Sequence, residues 1–412
     1  MTADSLMKTA RPTAADRRKT VLVYDADAYG HHFEYIGHFI HSLARIEAPD
    51  RYHFLVHAKT LDYFSREIEQ LAINGVDFAH FHALTAEETA RFERSPSTFK
   101  RALAERAVLE TYLREYAVEE LILLQVDQYQ FILGAWSLNT FRKLTVKGIL
   151  FHPYNQTPKS VSRMKRWRKR LQLHWALGPA KRSKLFVLND SRSVRELNAR
   201  FLFADRFAYL ADPIPVREYR PIDLRARYGI PSDNHLFLVI GGITVRKNIP
   251  RILEAFGALP AEAAESATLL LLGRCTDDRL LRTIADHQQQ TTRGRVIFDN
   301  TFLDEDAFES ALVTADTVLI TYKDFYPSSG IIGHAAKHRV PVIASDYGVI
   351  GHLTEKYRLG QTVSPDDTAA LRAALLNALQ ERRVYRGDPS FVRTHTPDNF
   401  VATLLEKQVW PA

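Results

Sequence analysis

Two short stretches carry residues whose types and spacing suit an anion. In the first, Gly241 and Gly242 follow an apolar run, and Arg246 and Lys247 follow just before the next amphipathic segment. Glycines at a strand end let the backbone turn sharply and let a ligand come close. Two cations beside a helix start suit a diphosphate. The second stretch, Ser328–Ser329–Gly330, opens "SSGIIGHAAKHRVPVIAS". Serine is a good helix N-cap, and free N–H groups together with hydroxyls cradle phosphate oxygens. Taken singly, each stretch has a plainer reading: a solvated turn with two surface cations, and an ordinary capped helix. Their occurrence in one half of the chain, at the same topological position, favours the phosphate.

The surrounding elements must bring the two stretches together. Near-continuous apolar runs predict strands at 20–26, 52–58, 76–82, 120–126, 147–153 and 184–190, and again at 235–242, 267–274, 295–300, 316–322 and 340–345. Helical patterns separate most of them, as in Phe33–Arg45, where Ile36, Phe39, Ile40 and Leu43 share a face. Such alternation implies parallel sheets covered on both faces, an α/β architecture. Two prolines in "YLADPIPV" break the pattern at Tyr209–Val216, and the domain junction is placed there. In open α/β sheets ligands bind at the carboxyl ends of strands, where both stretches fall.

The chain has 412 residues, enough for two or three domains. Its single cysteine, Cys275, excludes an internal disulfide and a cysteine-rich zinc site, and fits a reducing compartment. The N-terminal "MTADSLMKTARPTAADRRKT" lacks the apolar core of a secretory signal and reads as a mobile tail over 1–18. No apolar run has the length to span a bilayer. The net charge of +7 and pI of about 9.3 favour acidic partners. The charge concentrates in 159–184, where Lys159, Arg163, Lys165, Arg166, Arg168, Lys169, Arg170, Lys181, Arg182 and Lys184 meet no Asp or Glu. Met164, Trp167, Leu171, His174 and Trp175 lie among these cations, which suits an anionic bilayer surface or an acidic acceptor. The alternative is a solvated basic face with its aromatics in the core. No nucleic-acid motif accompanies the charge, so nucleic acid is not an expected partner. A cytoplasmic location is expected, peripheral on the membrane's inner face under the bilayer reading.

From about His235 to Gln380 the chain resembles retaining, nucleotide-sugar-dependent glycosyltransferases of the GT-B fold, close to glycosyltransferase family four. The resemblance rests on "GGITVRKNIPRILEAF", "LLLLGR", "RVIFDNTF", "ADTVLITY" and "HAAKHRVPVIASDYGVIGHL", in family order and at family-like spacing. It implies two Rossmann-like domains facing a central cleft. Residues 19–213 would hold the acceptor and 214–394 the donor, and the helix in 395–412 is expected to cross back to the first domain.

The resemblance also assigns residues. Lys247 matches the family's donor-diphosphate lysine. The family's arginine falls on Gly242, with Arg246 as its substitute. Gly241, Ser328, Ser329 and Gly330 complete the diphosphate site. Backbone near Ile297 and Phe298 would read the nucleobase, with the Phe298 side chain in the core. Gly30 stands in the place of the family's first glycine loop, bordered by His31 and His32. His152 ends a strand where the family often has an active-site histidine, and Asp127 is a further strand-end candidate. The family's two glutamates fall on Tyr326 and His334, or on Phe325 and Gly333 in the alternative register. Both carboxylates are therefore replaced, and His334 is left to reach a ribose hydroxyl or a phosphate. Lys247 and His152 are the expected catalytic residues. No metal and no cofactor are expected, only a nucleoside-diphosphate sugar as donor substrate and a glycan, lipid-linked or protein hydroxyl as acceptor. A GT-B nucleotide-sugar epimerase and a non-catalytic glycosyltransferase-like binding protein are the alternatives.

Overall fold

The computed structural model describes residues 18–409 apart from 29, 48, 131–132, 134–143, 157–161, 178–182, 201–204, 217, 291–293 and 383. The tail expected at 1–18 lies almost wholly outside them, as do Lys159, Lys181 and Arg182.

Two sheets form the framework. The first contains β1 (Thr20–Asp25), β2 (Arg51–Val56), β3 (Ala79–Ala83), β4 (Glu120–Leu123), β5 (Thr145–Leu150), β6 (Lys184–Leu188) and β7 (Phe207–Leu210), in the order β3-β2-β1-β4-β5-β6-β7. The second contains β8 (His235–Ile240), β9 (Ala267–Leu272), β10 (Arg295–Asp299), β11 (Thr317–Ile320), β12 (Val342–Ser345) and β13 (Gly360–Val363), in the order β10-β9-β8-β11-β12-β13. Neighbours such as β1 and β2, with Val23 opposite Phe54, and β8 and β9, with Leu238 opposite Leu270, pair in parallel. Such pairing needs crossover connections, and helices supply them.

β8 shows why these segments become central strands. All six of its residues are buried. Leu236, Leu238 and Ile240 join one core cluster, while Phe237 and Val239 join the other. With a period of two, an unbroken apolar run fills both faces of the sheet, and each buried large side chain contributes about 1.5–3 kcal/mol. β7 and β13 do not stand out in the sequence. Both end their sheets and are only partly buried; β7, "FAYL", is apolar but only four residues long, and β13, "GQTV", has a single large apolar residue. β7 consequently occupies the beginning of the stretch read as an irregular junction, and Pro213 and Pro215 follow it.

The chain divides into two compact units, one of residues 1–150, 170–186 and 404–412, the other of 151–169 and 187–403. Within the first, the segment after helix Pro397–Leu405 packs on the sheet's surroundings. The Glu47 N–H donates to the Gln408 carbonyl at 2.9 Å, and Lys407 pairs with Asp50 at 3.0 Å. Within the second, the strand order reverses between β8 and β11. At such a reversal the connections leave in opposite directions and open a crevice at the carboxyl ends. The loops after β8 and β11 hold the two anion-suited stretches.

Candidate functional site

Lys247 ends a short 3-10 turn, Val245–Lys247, that carries the chain from β8 toward helix Ile249–Gly257. Its side chain folds back under the end of β8. The ammonium donates to the Ile240 carbonyl and lies 3.5 Å from the Tyr322 hydroxyl. Lys247 is only 3% exposed, and among the described residues no carboxylate pairs with it. Burial lowers its pKa, the Arg246 guanidinium adds to this, and Tyr322 opposes both. A buried cation without an anion is costly, which is why such groups are normally paired.

Gly241 makes room for this arrangement. Its φ is +84°, and an added Cβ would stand 3.6 Å from the Lys247 ammonium and 3.7 Å from Ile331 Cδ1. Ile331 belongs to the first turn of helix Gly330–Lys337, so the end of β8, Lys247 and the start of that helix converge. Gly242 and Gly330 both face open space. Arg246 is exposed, with its guanidinium over the Phe325 ring at 5.0 Å and the Tyr322 ring at 5.8 Å. Its carbonyl accepts the Lys323 N–H at 2.8 Å, which ties the two loops together.

The loop after β11 is braced from behind. The Tyr347 hydroxyl accepts the Asp324 N–H at 2.6 Å, and the Val349 N–H donates to the Tyr326 carbonyl at 2.8 Å. Gly348 has φ +71°, and a Cβ there would come within 2.9 Å of Tyr326 backbone, so the close approach requires glycine. At the loop's end Ser329 is the N-cap of Gly330–Lys337, yet its side chain makes no capping bond. Ser328 Oγ accepts from Asn189 Nδ2 at 2.8 Å. The first N–H groups of the helix, the hydroxyls and Arg246 make a donor-rich surface suited to a dianion, with the Lys247 ammonium buried beside Gly241.

His334 lies on the same helix. Its Nδ1 stands 3.1 Å from Glu309 Oε1, and its ring meets Phe308 edge-on at 5.0 Å. Glu309, on helix Glu305–Thr314, also accepts from His338 and, at 3.3 Å, from Lys337. Burial alone would raise the Glu309 pKa, but the bonds from His334 and His338 and the Lys337 charge hold it well below the usual range. Glu309 was not among the sequence candidates. The spacing of His334 and His338, one helical turn apart, was the signal that could have suggested a shared partner.

Phe298, in β10, packs against the core cluster that contains Phe237 and Val239. His152 is exposed, two residues past the end of β5. Gly30, exposed and with φ +54°, caps helix His31–Leu43. Behind it lies a buried network that the sequence reading missed. Asp25, at the end of β1, holds His32 Nδ1 at 2.7 Å, and Arg101 joins Asp27 at 2.7 Å to Glu105 at 2.6 Å. Asp25, Asp27 and His32 bring possible ligand atoms within 4.8 Å of one another. Arg101 holds Asp27 and Glu105 while His32 holds Asp25, so these groups already partner one another within the network.

Residues 234–381 match the family model described as Glycosyl transferases group 1. A search of curated proteins found no match. Among solved structures the chain is similar to a sucrose-phosphate synthase from Thermosynechococcus elongatus, at 16% identity over 96% of each chain with a TM-score of 0.58. It is similar to WaaG, a glycosyltransferase involved in lipopolysaccharide biosynthesis, at 13% identity over 93% of this chain and 99% of that one, with a TM-score of 0.62. It is also similar to HepE of Anabaena in complex with UDP, at 14% identity over 94% and 98%, with a TM-score of 0.62. The fold is GT-B, with two Rossmann-like parallel-sheet domains. Within it, the 234–381 region that matches the family model contains every residue of the Gly241–Lys247 and Ser328–Gly330 stretches. Fold and domain together support a glycosyltransferase.

Proposed function

We propose that this protein transfers a sugar from a nucleoside-diphosphate donor to a hydroxyl acceptor with retention of configuration, in glycan or polysaccharide assembly. The observation that carries the proposal is Lys247, a buried ammonium at the end of β8 with no carboxylate partner among the described residues. Its position beside Gly241 and the first turn of Gly330–Lys337 fits a diphosphate that supplies the absent negative charge.

In this reading the bond between the anomeric carbon and the diphosphate oxygen breaks, and the acceptor oxygen bonds to the same face of that carbon. The acceptor proton passes to the departing phosphate. Lys247, Arg246 and the helix start at Ser328–Gly330 stabilise the leaving charge, which is the step where electrostatic preorganisation counts most. Glu309 holds His334 Nδ1 by a hydrogen bond, which leaves the ring's Nε2 to meet a ribose hydroxyl in place of a carboxylate. HepE was solved with UDP and with UDP-glucose, which makes UDP-sugars the first donors to test.

The replaced glutamate positions, Tyr326 and His334, favour one rival, a non-catalytic nucleotide-binding protein. Incubation with a panel of nucleotide sugars separates the two. Release of free nucleotide, accelerated by an acceptor and abolished in Lys247→Met, supports transfer. Tight nucleotide binding with no turnover of any donor supports the rival.

A further inference from the structure

We infer that helix Arg163–Leu177 is a docking surface for an anionic lipid bilayer. The sequence left two placements open for its large apolar residues, and the structure puts them outside. Met164 is 75% exposed, Trp167 59%, Leu171 46% and Trp175 45%. Leu173 is buried at 2%.

At about 100° per residue, Met164, Trp167, Leu171 and Trp175 fall within an arc about 80° wide, centred about 165° from Leu173. The helix therefore has two apolar faces. One is buried at Leu173, and the other is a stripe of exposed side chains. Arg168 borders the stripe on one side with Lys165 beyond it, and Arg163 and Arg170 border the other side. Arg166 and Lys169, nearer the Leu173 face, are half-buried. No Asp or Glu occurs between 163 and 177.

This charge pattern selects the occupant. A second copy docking through the same stripe would set one cationic rim against another, so self-association is opposed. An anionic bilayer meets both halves of the pattern. The tryptophans, Met164 and Leu171 enter the headgroup and acyl boundary, and the rim of cations meets lipid phosphates. Among the described residues no helix is long and apolar enough to cross a membrane, so the contact is one that lies on the surface. The surface is independent of the donor stretches and stands whether or not the transfer reaction does.

The test is co-sedimentation of the full chain with vesicles of phosphatidylcholine, with and without phosphatidylglycerol, at low and high salt. The wild type is expected to bind only the anionic vesicles, more weakly at high salt, with a blue shift of tryptophan emission. A variant with Trp167→Ser, Leu171→Ser and Trp175→Ser should keep its circular dichroism spectrum and bind at least about tenfold more weakly. Reversal of Arg163, Lys165, Arg168 and Arg170 to Glu should abolish binding. Binding of the serine variant equal to wild type would overturn the inference. So would equal binding to neutral vesicles, no binding at all, a stripe-dependent dimer in light scattering, or stripe-dependent binding of single-stranded RNA in place of vesicles.

Discussion

His334 Nδ1 and Glu309 Oε1 stand 3.1 Å apart, joining helix Gly330–Lys337, whose start belongs to the proposed donor surface, to helix Glu305–Thr314. The pair makes the buried Glu309 the anchor of a cluster that also includes the half-buried Lys337 and His338. Glu309→Gln keeps the shape and removes the charge. It should destabilise the fold by about 1.5–3 kcal/mol, measured by urea unfolding at pH 7, since the buried carboxylate's charge-assisted bonds to its three half-buried partners are lost. The wild type should hold this stabilisation above the ordinary glutamate pKa and lose it as pH falls toward the depressed folded value. Unfolding curves that coincide for the two proteins at pH 7 would count against the cluster.

A second pH dependence has the same direction and a different window. Burial pushes His53, His235 and His395 down to about 4. For His53, the neighbouring His80 and His82 and the Arg51 charge add to the shift, and Nδ1 lies 2.9 Å from His82 Nε2. Between the unfolded value of about 6.5 and the folded value of about 4, the unfolded chain binds more protons, so stability rises with pH across that window. Each of these histidines should account for on the order of 2 kcal/mol lost on acidification from pH 6.5 to pH 4. His53→Gln should flatten the urea midpoint over this range, and an unaltered slope would refute its share.

Ser329 separates a capping role from a binding role. A serine cap lost to alanine ordinarily costs about 1 kcal/mol, but here the side chain makes no capping bond. Ser329→Ala should therefore shift the thermal midpoint by less than an ordinary cap mutation, while Ser328→Ala with Ser329→Ala lowers donor affinity. Gly330 faces open space, so Gly330→Val should fold and weaken binding more by occupying the approach of a phosphate. A double alanine variant with wild-type turnover contradicts this role.

Lys247→Met should stabilise the ligand-free protein by about 1–2 kcal/mol, because a buried unpaired ammonium is replaced by an apolar side chain of similar length. A gain in stability with a loss of binding is the signature of a residue kept for a ligand. A lower melting point for Lys247→Met would mark the Ile240 and Tyr322 contacts as structural.

Much of this arrangement was legible in the sequence. β8 and β9 are unbroken apolar runs, and such runs have few folds open to them besides a doubly covered parallel sheet. The Gly241–Lys247 and Ser328–Gly330 stretches were legible because glycines and serines at strand ends carry local backbone chemistry. β7 and β13 were not: β7 is four residues long and runs into the Pro213 and Pro215 stretch, and β13, at its sheet's end, needs only one large apolar residue. Glu309 was hidden because its partners come from another helix, and nothing local marks a buried carboxylate. The exposed stripe on Arg163–Leu177 was ambiguous for a related reason. Periodicity shows which apolar residues share a face, but with Leu173 on one face and Trp167 on the other it does not say which face is covered.

The central claim is that Lys247 awaits a diphosphate, and isothermal titration tests it most directly. UDP should be titrated first, then the other nucleoside diphosphates, into the wild type and into Lys247→Met. The account predicts saturable binding of at least one of them to the wild type, weakened about 10- to 100-fold in the folded variant, which corresponds to the loss of one charge-assisted contact. Equal affinity of the two proteins for the nucleotide that binds best would contradict it.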